Sequence, residues 1–156
     1  MVPEVTSIRL RDQLTTLEAF FSQTGPEAWQ RKPASGKWSA LENLAHLGRY
    51  HEIFLDRVRR ILNEDRPHFA RYRAEDDEEW RSWSSLQARV VQSRIRELRS
   101  EVIGLVSALT EAQLKRTGFH PILGEMTILQ WLEFFLLHEA HHLYAILFRL
   151  KEAASP

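Results

Sequence analysis

The densest group of side chains that could do chemistry is residues 138–142, His-Glu-Ala-His-His, inside an otherwise apolar helical run. His138 and His142 are four residues apart, so on a helix they project from one face, with about 5 to 6 Å between their Cβ atoms. Two neutral imidazoles placed in this way can share a metal ion. The face is otherwise apolar, where an unpaired polar group costs about 1 to 3 kcal/mol. The pair is therefore either hydrogen-bonded in the core or bound to a metal.

The same string matches His-Glu-x-x-His, in which Glu139 would be the general base of a zinc peptidase. The extended form of that motif needs Gly and His three and six residues after the second His, where this chain has Ala145 and Phe148. We therefore reject the peptidase interpretation. His141 is poorly aimed to join the pair and suits a packing or supporting role. Glu139 and His141 stay as candidate catalytic bases, although both are expected to point outward.

A third ligand has to come from an earlier helix, and His46 and His51 compete for that place. Periodicity favours His51, which lies in the middle of the apolar stripe of its helix, whereas His46 lies on the flank. The height of each residue along the bundle, taken from a rise of 1.5 Å per residue, does not decide between them, because antiparallel packing could bring either one level with His142. The spacing alone leaves both open.

Composition narrows the kinds of site and partner. The chain has 156 residues, which suits a single domain over residues 1–156, and it has no cysteine, so a metal site must use nitrogen and oxygen ligands. Basic and acidic residues number 21 each, which predicts no nucleic-acid partner. The N-terminus lacks the apolar core of a signal peptide, and the longest apolar run is too interrupted to span a membrane. We expect a cytoplasmic protein.

Helical periodicity dominates, and no convincing strand alternation is present, so the predicted fold class is all-α. The first helix carries Leu10, Leu14, Leu17 and Phe21. The second begins after a Ser39–Glu42 capping box and ends near Asn63. The third starts among the acids of residues 74–79 and includes Trp83 and Leu86. The fourth begins at a Thr127–Gln130 capping pair, runs to about Lys151, and is apolar on nearly every side, so it is deeply buried or lies in a subunit interface.

The long segment between the second and third helices indicates the topology. Its sixteen residues, 64–79, could span roughly 50 Å, enough to return along a helix of about 37 Å. Such a crossover makes these helices parallel and gives an up-down-down-up four-helix bundle. The alternative is a flexible insertion between antiparallel neighbours. The basic run Arg57-Val-Arg-Arg60 is expected to be a solvated helix face.

Two stretches of the chain resemble the DinB/YfiT-like superfamily, in its DinB-like branch. One has Trp38-Ser39 at a helix start and His46 eight residues after the tryptophan; the other has His138-x-x-His141-His142 near the end of the last helix. The resemblance covers essentially the whole chain. It implies that His46, His138 and His142 are the three metal ligands, in place of the periodicity preference for His51, with His51 as a neighbour of the site. It also implies the up-down-down-up bundle and frequent homodimers.

The expected function follows from that resemblance. A trihistidine site would hold Zn²⁺, Ni²⁺, Mn²⁺ or Fe²⁺ and leave positions for water or substrate. Relatives of this family include thiol S-transferases and proteins described as hydrolases, so we expect a metal-dependent enzyme acting on a small molecule, with a low-molecular-weight thiol as a candidate cofactor. The alternative is a non-catalytic metal-binding or stress-associated dimeric bundle.

Overall fold

Four long helical segments make up most of the chain in the computed structural model, which describes residues 1–154. The first segment combines two helices joined by a 3-10 turn at Gln13–Thr15, and a second such turn lies at Ala74–Asp76. In chain order the elements are α1 (Glu4–Asp12), α2 (Thr16–Gln23), α3 (Pro26–Gln30), α4 (Ala40–Asn63), α5 (Glu78–Ser84), α6 (Ala88–Ser107), α7 (Glu111–Leu114), β1 (Thr117–His120), β2 (Gly124–Thr127) and α8 (Ile128–Ala154). The fold class is confirmed as a four-helix bundle.

Both predicted helix starts that matter for the site are present. The Ser39 hydroxyl accepts a hydrogen bond from the Glu42 backbone N–H, and the Glu42 side chain accepts one from the Ser39 N–H. Thr127 and Gln130 make the same reciprocal pair before α8. These caps satisfy N–H groups that have no partner within the helix and fix where α4 and α8 begin.

The direction of α4 relative to its neighbours follows from its contacts. Leu44 shares a buried apolar cluster with Val91, near the start of α6. Val58 shares the second cluster with Val106, near the end of α6. The two helices are therefore parallel, as the crossover predicts, and the flexible-insertion alternative is wrong.

The α8 helix runs the other way along α4. Asn43, near the start of α4, contacts His142, whereas Phe54, a further three turns along α4, stacks on Phe135 at 4.4 Å between ring centroids. In the first segment, Thr6 contacts Glu133 and Gln13 contacts Glu139, so α1 and α8 run in the same direction. The order along the chain is up-down-down-up.

The predicted third helix is in fact two helices. Residues 85–87 separate α5 from α6, and Gln87 has an extended backbone with ψ 143°. The Ser84 and Ser85 hydroxyls donate to the carbonyls of Arg81 and Ser82. Serine hydroxyls that bond nearby backbone groups compete with helix formation, which accounts for the break inside the predicted stripe.

A small β-hairpin before α8 was not expected. Strands β1 and β2 are antiparallel, with Thr117 opposite Thr127 and His120 opposite Gly124. Gly124 has φ +75°, a conformation that other residues adopt at a steric cost. The hairpin is tied to the crossover, because the Phe69 N–H donates to the Phe119 carbonyl at 3.1 Å. The hairpin therefore helps to hold the crossover over one side of the bundle.

The α8 helix is apolar around most of its circumference, but one stripe of it faces solvent. Its inner faces fill both core clusters. Leu137, Tyr144, Leu147 and Phe148 are exposed along one side, with Tyr144 at 62%. None of the helices in residues 1–154 has the length and apolar character needed to cross a membrane.

Candidate metal site

Three histidines from α4 and α8 converge near one end of the bundle. The side chains of His46, His138 and His142 each bring a ring nitrogen to within 4.8 Å of the other two. His46 Nε2 and His138 Nε2 are 3.0 Å apart. The convergence has a simple origin: His138 and His142 lie one turn apart on α8, and antiparallel packing brings His46 of α4 opposite them. These are the three rings that the resemblance assigns as ligands.

Asn43 holds the His142 ring in one orientation. The Asn43 side-chain N–H donates to the Ser39 carbonyl at 2.8 Å, which fixes the amide so that its oxygen faces His142. The His142 Nδ1–H then donates to Asn43 Oδ1 at 2.9 Å. The proton of the neutral ring is therefore on Nδ1, and the Nε2 lone pair is free to bind a metal. A partner of this type fixes the tautomer of a metal-ligating histidine.

The triad is poorly satisfied by the protein itself. The Nδ1 atoms of His46 and His138 are buried without a hydrogen-bond partner among residues 1–154. The short contact between their Nε2 atoms can hold only one proton, because one ring must donate and the other accept. Buried polar atoms without partners are costly. A divalent ion would take up the Nε2 lone pairs of both rings and so replace the short contact between them, which fits this donor set.

All three rings are strongly biased towards their neutral form. Burial is the main cause, with neighbouring histidines adding to it: the pKa of His46 falls to about 4, that of His142 to about 3 and that of His138 to about 2. Metal ligands must be unprotonated imidazoles. At neutral pH the site therefore presents three rings ready to bind a cation.

A solvent-accessible pocket of about 690 Å³ adjoins the triad, with His46 and His138 in its wall. Aromatic side chains surround the rings: Tyr50 lies 4.1 Å from His138 and Tyr72 lies 5.6 Å from His46, centroid to centroid. The half-buried Trp38 packs beside His46 at 5.1 Å. A small molecule in this pocket would have direct access to the triad.

His51, which periodicity favours as the third ligand, lies elsewhere. Its ring is fully buried; its Nδ1–H donates to the Leu47 carbonyl at 2.7 Å, and its Nε2 accepts from Arg99 Nε at 3.2 Å. Both nitrogens are thus satisfied, and burial together with the Arg99 charge lowers the pKa of His51 to about 3. The periodicity preference is wrong, because both histidines are buried but face different neighbouring helices.

Glu139 also differs from the expectation that it points outward. It is completely buried and forms an ion pair with Arg99 of α6. Gln13 donates to its second oxygen at 2.8 Å. A helix position next to His138 faces inward here because the first helical segment packs against that side of α8 and Arg99 of α6 reaches Glu139 there. Its contacts support a structural role and bring it to none of the three rings.

His141 is exposed, as expected, with its ring 5.2 Å from that of His142. Its role as a base stays a prediction. The site also contains Asn43, Trp38 and Tyr72, none of which the sequence patterns place beside the histidines. A usable signal existed for Asn43, since a polar residue one turn before His46 on the buried face of a helix needs a partner inside the protein.

Comparisons with known proteins agree with the fold. A family model for the DinB superfamily matches residues 9–146. YfiT from Bacillus subtilis, described as a probable metal-dependent hydrolase with an unusual four-helix bundle topology, superposes with a TM-score of 0.77 at 20% identity, covering 95% of this chain and 85% of YfiT. The four-helix bundle protein TT2238 superposes with a TM-score of 0.64 at 23% identity, covering 93% and 98%. A comparison with curated proteins gave no significant match.

Proposed function

This chain belongs to the DinB superfamily, and we propose that it is a metal-dependent enzyme that binds a divalent ion through His46, His138 and His142. One observation carries the proposal: three neutral imidazoles converge, and two of them, His46 and His138, line an accessible pocket and keep a buried nitrogen without a partner among residues 1–154. A purely structural site is normally closed by a fourth protein ligand. Among the described residues, no fourth His or acidic side chain joins this group.

The proposed chemistry is activation of a nucleophile. A bound divalent ion would lower the pKa of water or of a thiol so that either attacks a substrate near neutral pH. The protein would contribute the oriented His142 ring, fixed by Asn43, and the aromatic wall that limits access of bulk water. Hydrolysis and thiol transfer are both consistent with this arrangement. For thiol transfer the sulfur must come from a small-molecule thiol, because the chain has no cysteine.

Metal analysis of the purified protein tests the first step. We expect about one divalent ion per chain, with Zn²⁺, Ni²⁺, Mn²⁺ and Fe²⁺ as candidates. His138→Ala should abolish binding, whereas His51→Gln, a change to a buried histidine outside the triad, should retain it. Unaltered metal content in His138→Ala would disprove the ligand assignment.

Two activity screens on metal-loaded protein separate the reaction types. One follows conjugation of small cellular thiols to electrophiles, and the other follows hydrolysis of esters and amides without thiol. The rival interpretation is a non-catalytic metal-binding or stress-associated bundle. It predicts neither activity and a metal that does not exchange ligands, whereas an enzyme site should bind azide or a thiol with a change in the spectrum of the Co²⁺-substituted protein.

We also propose that the protein is a homodimer joined through the exposed stripe of α8. Leu137, Tyr144 and Phe148 recur at seven- and four-residue steps, so they lie on one face, and an apolar patch of this kind marks an interface. Sedimentation should show a dimer that Tyr144→Glu dissociates. Val90→Glu, at an exposed apolar position of α6, serves as the control and should leave the dimer intact.

Two further proposals concern location and partners. We propose that the protein acts in the cytoplasm on a small molecule and does not bind nucleic acid, in keeping with its formal net charge of zero. A gel-shift titration at low salt tests the last point, and saturable binding of DNA or RNA would contradict it.

A further inference from the structure

Arg57 of α4 is a buried cation without an acidic partner in the described part of the chain. The residue is only 6% exposed. Its guanidinium carbon lies 5.1 Å from the centroid of the Trp131 ring and 5.5 Å from that of the Phe69 ring. Its hydrogen bonds go to neutral acceptors, the Tyr50 hydroxyl at 3.0 Å and the Ala70 carbonyl at 3.5 Å. Within residues 1–154 no carboxylate forms an ion pair with it. The sequence expectation of a solvated basic run is wrong at this position, because the crossover and the hairpin cover it.

A buried charge without a counter-charge is destabilising unless something compensates it. Arginine has five N–H donors, and two of Arg57's are used by Tyr50 and Ala70, which leaves three without an acceptor in the described chain. Arg57 also lines the pocket that contains His46 and His138. Tyr50 connects the two regions, since its hydroxyl accepts from Arg57 and its ring packs on His138 at 4.1 Å.

His120 provides a second donor in the same pocket. Its Nδ1 accepts the backbone N–H groups of Ile122 and Leu123 at 3.1 and 3.0 Å. The proton of the neutral ring is therefore on Nε2, which has no acceptor among the described residues. Burial and the charge of Arg57 both lower the pKa of His120, which keeps the ring neutral. This region of the pocket thus combines one full positive charge with a neutral N–H donor.

We infer that Arg57 and His120 bind a carboxylate group of the substrate, so that the enzyme selects small organic anions whose reacting atom faces the triad. The inference rests on the proposed enzyme function. A carboxylate is favoured over a phosphate because a single buried cation matches a single negative charge. Arg71 and Arg73 at the pocket rim are exposed and add to the attraction of anions, although Glu75 offsets part of it.

Binding of hexanoate to the full-length chain, with the metal removed by a chelator, tests this inference without any need for activity. Trp131 packs on Arg57, so tryptophan fluorescence can follow the titration. Hexanamide, a neutral molecule of nearly the same shape, and inorganic phosphate are titrated in parallel. We expect hexanoate to bind at least about 10-fold more tightly than hexanamide, as charge-assisted hydrogen bonds require.

Arg57→Met should remove that preference, and the matched control Arg59→Met, an exposed arginine on the same helix, should retain it. Arg57→Met should also unfold at the same or a higher temperature, since replacing a buried unpaired charge by an apolar side chain of similar size relieves its burial. A lower melting temperature with the preference intact would make Arg57 purely structural and overturn the inference. So would equal binding of hexanoate and hexanamide to the wild type, or binding of phosphate alone.

The metal-free design also separates this inference from the proposed function. A chain that binds no metal can still prefer hexanoate, in which case only the enzyme proposal fails. A chain that binds metal at the triad without distinguishing acid from amide overturns the carboxylate site alone.

Discussion

Two groups of polar side chains, one between the first helical segment, α4, α6 and α8 and the other at the pocket, differ in how completely the protein satisfies their hydrogen bonds and charges. In the first group, His51, Arg99, Glu139 and Gln13 bond one another or backbone carbonyls, and none of their buried polar atoms lacks a partner. In the second, and within residues 1–154, His46 and His138 each keep a buried nitrogen without a partner, and Arg57 has no counter-charge. The second group is the one that borders a pocket.

This difference indicates that the first group stabilises the fold, whereas the second is available to bind a ligand. Bonded networks of buried charges hold helices in register, and removing one member leaves the others uncompensated. Unsatisfied groups lower stability and persist where a ligand completes them. The two arginines illustrate this: Arg99 is paired with Glu139 in the core, whereas Arg57 faces a cavity large enough for a small molecule.

Acid should lower the stability of the metal-free protein through histidines of both groups, and this is the largest effect expected. His46, His51, His138 and His142 have pKa values of about 4, 3, 2 and 3 when folded, against 6.5 in the unfolded chain. As the pH falls below 6.5 the unfolded chain takes up protons that the folded chain does not, so stability decreases. At pH 5.5 the loss is on the order of 1 kcal/mol per ring, or roughly 5 kcal/mol for the four rings together.

Urea unfolding at pH 7.5 and 5.5 measures this loss. His51→Gln removes one of the four rings, so the difference between the two pH values should shrink by about a quarter. An unchanged difference in that variant would mean that His51 is protonated in the folded state.

Removing the Glu139 carboxylate should lower the free energy of unfolding strongly and leave metal binding almost unchanged. Glu139→Ala leaves Arg99 buried without its carboxylate, which typically costs about 3 to 5 kcal/mol. Unfolding by urea gives the free energy, and metal analysis of the folded fraction should still give one ion per chain. A loss of metal from folded Glu139→Ala would show that the two groups are coupled. Glu139→Gln with metal retained but activity lost would instead support its predicted role as a base.

Much of the fold could be predicted because its signals are local. Ser39 with Glu42 and Thr127 with Gln130 mark helix starts within four residues of sequence, and apolar spacing marks the faces that pack. The β-hairpin could not be predicted in this way, since strands of four residues are too short to show alternation. The helix break at residues 85–87 could not be predicted either, because the spacing of apolar residues continues through it.

The site was harder to predict. Periodicity indicates that a residue is buried, but it does not indicate which neighbouring helix that residue faces. His46 and His51 are both buried on α4, yet one faces the α8 histidines and the other faces Arg99 of α6. The family resemblance selected His46 as the histidine that meets His138 and His142, which periodicity could not do. The burial of Arg57 could not be predicted for a related reason: it depends on Phe69 and Ala70 of the crossover, which only the folded structure places over it.

The smallest expected effect concerns Asn43, which touches the candidate metal site only through His142. Asn43→Ala removes the acceptor that fixes the His142 ring, and loss of such a partner typically weakens metal binding by about 10- to 100-fold. Asn43→Asp keeps an acceptor for the His142 Nδ1–H, so its affinity should lie closer to that of the wild type. Competition with a chromophoric chelator gives the dissociation constants.

Gln92→Ala is the matched control for Asn43→Ala, because Gln92 is a buried amide of α6 that bonds Glu18, remote from the triad. It should lose some stability and keep its metal affinity. If both variants weaken the metal equally, loosening of the bundle and not orientation of His142 explains the effect. If Asn43→Ala binds as tightly as the wild type, the triad positions its rings by packing against Trp38 and the other aromatic side chains alone.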